Sequence, residues 1–290
     1  MPESALTIAS LLVDPALQEA CGQWLKGGRY RVVPMALGSE AAVDLDWLRE
    51  DVDAVLLQQG AAAQLTFRQW AEQGLLLPAV VIGEVSGRID YHDAEVHLPA
   101  DQLEQLSYSI DAALVRLLRR GLQGAGSTTA GASGSGGAVE MTEGWKLANR
   151  LKERLGYLGV FYKRDPARFL RHLPEPEGRD LLRSLQRTYR DLLLSYFRDP
   201  AVANQALESF VNTAFFSDLP ITKTVEIHMN LIEGFAKQLK LEGHQNDFLQ
   251  DYRLALLDVM AHLCEMYRRS IPVDAPITMI MEGSAAAVAP

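Results

Sequence analysis

The side chains best able to do chemistry are thinly spread along this chain, which has six histidines and two cysteines in 290 residues. His262 is the best placed. Residues 246–269 read as a helix on which Asp258 lies four residues before His262 and Glu265 three after, so both carboxylates share its face. That pattern suits a helical histidine at a solvated or interface edge, paired with an acid. It does not suit a metal, because no second soft ligand has the right spacing and Cys264, two residues on, faces elsewhere. Cys21 and Cys264 fall in different halves of the chain and read as small core residues rather than as a disulfide or metal pair. The phosphate-cradling G-x-x-x-x-G-K-[ST] and strand-linked G-x-G-x-x-G, the nucleophile elbow G-x-S-x-G and the zinc helix H-E-x-x-H do not occur. No enzyme signature is left, and the chain reads as a non-catalytic regulator.

Two unlike halves must hold these residues. Residues 6–13, 30–35, 54–58, 76–82 and 94–98 are short β-branched or leucine-rich runs, with helical patterns at 15–26, 39–50, 64–73 and 101–120. Such alternation predicts an α/β domain with a five-stranded parallel sheet, flavodoxin-like or receiver-like, covered on both faces. The polar segment 83–93 reads as a loop. From Gly121 to Gly137 nearly every residue is Gly, Ala, Ser or Thr, a composition too poor in apolar surface to offset its ordering entropy. It predicts a flexible tether spanning roughly 20–25 Å on average, with domains free to move. Beyond it, helical patterns at 140–157, 165–172, 178–197, 202–215, 222–241 and 246–269 are broken by prolines and Gly243. They predict an all-helical bundle over 140–272 and a disordered tail over 273–290.

A phosphate-accepting receiver needs an acidic pair after strand one, an Asp ending strand three, a hydroxyl after strand four and a Lys before the Pro that follows strand five, because Mg²⁺ takes oxygen ligands there. Here only Asp14 follows strand one, Gln58 and Gln59 end strand three, Gly83 and Glu84 follow strand four, and Leu98 precedes Pro99. Phosphotransfer is not expected.

Charge and length narrow the partners. The net charge is -9, and residues 1–120 carry 9 Lys and Arg against 17 Asp and Glu. No cationic cluster suits a nucleic acid. No apolar run approaches the roughly 18 residues of a membrane span, and the start, Pro2, Glu3 and Ser4, lacks the basic-then-apolar order of a secretory signal. The cytoplasm is the expected location. In the last helix Leu249, Tyr252, Leu256, Val259, Leu263 and Met266 trace one apolar stripe, while Leu254, Leu257, Met260, Cys264 and Tyr267 trace another beside it. Residues 222–241 repeat the pattern through Val225, Ile227, Leu231, Ile232, Phe235 and Leu239. A helix apolar over much of its girth is central to a core or shared with a partner, so part of this surface is expected between subunits.

Three segments carry a resemblance. RLGYLGVFYKRDP (154–166), AFFSDLPITK with VEIHM (214–223 and 225–229), and DYR through AHLCEMYRRSIP (251–253 and 261–272) resemble the C-terminal domain of the KaiA family of circadian clock proteins, and AEVHL (94–98) with QLEQL (102–106) fits its N-terminal pseudo-receiver more loosely. The resemblance implies a homodimer whose helical domain binds the C-terminal tail of the clock kinase KaiC in a groove at the dimer interface. It implies stimulation of KaiC autophosphorylation, countered by KaiB, and a pseudo-receiver that handles input, with quinone as an implied ligand. His262 and Glu265 are then the expected tail contacts, with Leu231, Phe235, Met266 and Asn212 as groove or interface residues. The low-complexity tether and the tail beyond Pro272 depart from the family pattern. The competing reading is a dimeric output or adaptor protein of a two-component-like pathway with a non-phosphorylated receiver.

Overall fold

The computed structural model describes residues 6–26, 29–35, 45–84, 91, 95–126, 164–242 and 247–270. Its first half is a five-stranded parallel sheet, β1 (Leu6–Leu11), β2 (Tyr30–Pro34), β3 (Ala54–Gln58), β4 (Ala79–Ile82) and β5 (Glu95–Leu98), in the order β2-β1-β3-β4-β5. This is the doubly wound order whose topological switch lies between β1 and β3. Every residue of β1, β4 and β5 is buried, as strands covered on both faces must be. The covering helices are α1 (Pro15–Trp24), α2 (Leu45–Asp51), α3 (Ala61–Glu72) and α4 (Leu106–Gly126), the last entered through a 3₁₀ turn at Leu103–Gln105. Asp14 starts α1 by accepting a hydrogen bond from the Ala16 amide at 2.9 Å, with Pro15 at the first helical position.

α4 runs six residues beyond 120, into the stretch whose composition predicts a tether. Its early turns are pinned by buried Ile110, Ala113, Leu114 and Leu117, and extending a formed helix costs far less than starting one. The rest of the tether, the helix expected at 140–157 and the tail from 273 lie outside the described residues, as does most of the loop 83–93.

The second half is helical. Where the pattern predicts one helix over 165–172 there are two 3₁₀ turns, Pro166–Arg168 and Leu170–His172. Four longer helices follow: α5 (Glu175–Ser195), α6 (Pro200–Phe216), α7 (Ile221–Leu241) and, after a 3₁₀ turn at Asp247–Tyr252, α8 (Arg253–Ser270). Asp199 caps α6 by accepting from the amides of Ala201 and Val202. α5 and α6 form the spine; α7 leans on α5, and α8 on α6. α6 is wrapped by neighbours, with Ala203, Leu207, Phe210, Val211, Ala214 and Phe215 all buried. At its end Asp218 adopts φ 54°, the left-handed conformation of a helix stop, and its carboxylate pairs with Arg164 at 2.7 Å and Arg171 at 3.2 Å.

The two halves meet along a seam whose centre is polar. Gln105, fully buried, places Nε2 2.6 Å from Ser184 Oγ and 2.8 Å from Thr188 Oγ1 on α5, and its carbonyl accepts from Thr213 Oγ1 on α6 at 2.9 Å. Beside it Asp111 of α4 receives Arg29 at 2.8 Å from its own domain and Arg168 at 2.9 Å from the helical one. The Arg168 guanidinium also lies over the Tyr108 ring, 4.5 Å from its centre.

Candidate functional site

At the switch end of the sheet, where a receiver keeps its phosphate-accepting carboxylate, the side chain is an amide. Gln58 Oε1 accepts hydrogen bonds from the backbone amides of Val13 at 2.8 Å and Asp14 at 2.9 Å. The Asp14 carboxylate is turned to the start of α1. Gln59 packs over Gly83 so closely that a Cβ on Gly83 would lie 2.5 Å from the Gln59 Cβ. Side chains that would assemble a phosphotransfer site thus brace the loops of that end.

The partner-facing candidates lie on the opposite half. The structure turns the first stripe of α8 inward, burying Val259, Leu263 and Met266 under α6, and leaves Leu254 and Leu257 51% and 63% exposed. Cys264 lies on the outer stripe and is exposed, which corrects its assignment to the core; Cys21 is buried, and burial pushes its thiol up to about 11. On α7, Ile227 and His228 are buried, Leu231 and Phe235 pack half-buried against the core, and Val225 and Met229 face outward. Large apolar side chains stay exposed on each of these helices, Val225 and Met229 on α7 and Leu254 and Leu257 on α8, and apolar side chains left in water are candidates for contact with a partner.

His262 is exposed on this outer side of α8. Neither carboxylate that shares its helical face pairs with it. Its Nδ1 is 2.8 Å from the backbone carbonyl of Asp258, the Asp258 carboxylate accepts the Tyr196 hydroxyl, and Glu265 is clasped by Arg268 at 2.7 Å and by Arg269 at 2.5 Å. The hydrogen bonds from the two arginines hold the Glu265 carboxyl down at about 2. Met266 sits beneath, in the core of the helical domain, and Asn212 is half-buried on α6. His262 and Glu265 are therefore presented outward, Leu231 and Phe235 half so, while Met266 supports them from behind. Among the described residues no group of three His, Cys, Asp or Glu side chains is gathered for a metal, and no helix is long and apolar enough to cross a membrane.

Two buried groups escaped the pattern reading. His228 contacts the Tyr189 hydroxyl at 3.2 Å through Nδ1 and stacks edgewise on that ring, and burial lowers its pKa. Its position was visible as a polar residue inside the apolar face of Thr224, Ile227 and Leu231. Gln105 gave no such sign, because its partners in the helical domain lie 79 to 108 residues away.

A receiver-like sheet with an amide at the phosphoacceptor position, joined along a polar seam to a helical domain with exposed apolar side chains, defines a two-domain protein of the pseudo-receiver class. The family described as "Circadian clock protein KaiA, N-terminal domain" matches residues 6–121, and the "KaiA C-terminal domain" matches 153–274. The circadian clock oscillator protein KaiA of Parasynechococcus marenigrum is 55% identical over 289 residues, spanning 98% of this chain and 95% of that protein. That of Synechococcus elongatus is 42% identical over 282 residues, spanning 93% and 98%. The crystal structure of the C-terminal domain of Thermosynechococcus elongatus BP-1 KaiA is 48% identical, covers 37% of this chain and all of that one, and has a TM-score of 0.32. The chain belongs to the KaiA family of circadian clock proteins.

Proposed function

We propose that the protein acts in a circadian oscillator as a homodimer that captures the C-terminal tail of the KaiC kinase on the α7–α8 face and thereby stimulates KaiC autophosphorylation, with KaiB opposing it. The observation that carries this reading is the exposure of Leu254 and Leu257 on the same helix as outward-facing His262, with Val225 and Met229 exposed on α7. Exposed apolar side chains of that kind fit a helix-in-groove mode of peptide capture, in which apolar anchors give affinity and a polar neighbour gives register. His262 supplies that neighbour, since one ring nitrogen is satisfied by its own helix and the other has no partner among the described residues. Glu265, held ionised, offers an acceptor to a donor or a cation on the tail, in competition with its two arginines. No catalytic group is required: a partner that binds one tail conformation better than another shifts the kinase's own equilibrium by that difference in affinity.

The test is to add the full chain to a KaiC-type hexamer and follow incorporation of phosphate into the kinase. Stimulation that is lost when the kinase tail is deleted supports the reading. No stimulation, with capture of a different signalling protein instead, favours an adaptor of a two-component-like pathway.

A further inference from the structure

The seam between the domains holds a cavity of about 540 Å³, walled by both halves of the chain. Pro99 and His97 come from the α/β domain, and Leu194, Val202 and Ser209 from α5 and α6. Its size lies in the range of small-molecule sites, and its walls set the apolar Pro99, Leu194, Val202 and Ala206 among a larger number of polar side chains, including Gln102, Thr188, His97 and Ser209.

Two of those polar groups are buried and unsatisfied. His97 is 6% exposed and Ser209 8%, and neither His97 Nδ1 nor Ser209 Oγ has a hydrogen-bond partner among the described residues. A buried polar atom left without a partner is costly, and native structures rarely keep one without a reason. The histidine is also held in place. Glu95 and His97 stand two apart on β5 and so share a face, with Glu95 Oε1 2.7 Å from His97 Nε2, while Glu95 Oε2 accepts from the Tyr91 amide at 2.8 Å. In the neutral ring whose Nε2–H is given to the Glu95 carboxylate, Nδ1 presents a lone pair. The mouth carries Arg198 together with Asp191 and Asp199, charges of both signs that do not select an ion.

We infer that this cavity is a binding site for an uncharged, mostly apolar small molecule bearing one N–H or O–H donor, which it gives to His97 Nδ1 while its apolar body lies against Pro99, Leu194 and Val202. Ser209 Oγ gains a partner from the same molecule. Because the walls come from both domains, the occupied site exists only while they are packed, and occupancy favours the packed arrangement. The inference goes beyond the tail-binding reading and is independent of it.

Indole and 1-methylindole test it on the full chain, since they share a shape but only indole has the donor. Indole should bind one to one by titration calorimetry and raise the unfolding temperature. 1-Methylindole should bind about tenfold more weakly, the loss expected for a buried acceptor left unpaired. His97→Leu should abolish the difference between the two probes. Where that variant fails to fold, the pair Glu95→Met with His97→Leu, which leaves no orphan carboxylate, replaces it. Equal binding of both probes to the native chain, no binding of indole, or a difference that persists without His97 would each overturn the assignment.

Discussion

The side-chain carbonyl of Gln105 accepts a hydrogen bond from the Thr213 hydroxyl at 2.9 Å across the boundary between the α/β and helical domains, and both side chains are fully buried. Removing one member strands the other. Gln105→Leu should therefore destabilise the chain by about 1–3 kcal/mol in urea unfolding, the cost of orphaning Thr213 Oγ1. Thr188→Val should cost less, because Gln105 Nε2 keeps Ser184 Oγ as an acceptor. Equal losses would mean that the network does not centre on Gln105.

Asp111 is the hinge of the charged part of the same seam. It is 6% exposed and receives Arg29 and Arg168, so Asp111→Ala leaves the two cations with only Asp165, 3.5 Å from Arg29, to offset them. The expected loss is about 3 kcal/mol, at the low end for a buried pair because Arg29 and Arg168 keep some contact with water. Raising the salt concentration should change the native stability little, since buried pairs are weakly screened. A strong salt dependence in the native chain would place the pair in solvent.

His228 makes stability depend on pH. Its folded pKa lies below the ordinary imidazole value of 6.5 because burial disfavours the cation. Above that value the ring is neutral in both states and contributes nothing to the pH dependence. Below it the unfolded chain binds the proton first, so stability falls with pH until the folded pKa is passed. Unfolding free energies measured from pH 7.5 down to 5 should show this decline, and His228→Asn should flatten it. An unchanged slope in the variant would assign the decline to other groups.

The outer face of α7 and α8 predicts assembly and binding separately. If the proposed dimer uses this face, Leu254→Glu with Leu257→Glu should give a monomer by light scattering that keeps its helical circular dichroism, since both side chains already face water in the single chain. His262→Ala should weaken binding of the kinase tail in calorimetry and leave the dimer intact. A dimer that survives the double variant would remove these leucines from the interface.

The elements were legible where side-chain periodicity and burial agree. The β-branched runs became β1 to β5, and on α8 the first stripe turned inward while Leu254, Leu257 and Cys264 of the second faced out and its Tyr267 packed on Phe215. Which stripe faced inward was not legible, because α6, far back in the chain, decides it. Cys264 was misassigned for that reason. The pairing of His262 with an acid looked sound from helical spacing alone. It failed because Tyr196 reaches Asp258 from α5, and because Arg268 and Arg269 reach Glu265 from one turn farther along α8. The polar seam was invisible for a deeper reason: Gln, Ser and Thr are normally surface residues, and only tertiary contact turns Gln105, Ser184, Thr188 and Thr213 into an interior.

The polar centre of the seam also bears on how the two halves behave if they separate. A purely greasy junction, once opened, offers adhesive surface to any neighbouring chain. The amide, hydroxyl and ionic groups around Gln105 and Asp111 are instead rehydrated on exposure, each exchanging a protein hydrogen bond for one to water at small net cost. Any parting of the two halves would then carry less risk of aggregation than a purely apolar junction would.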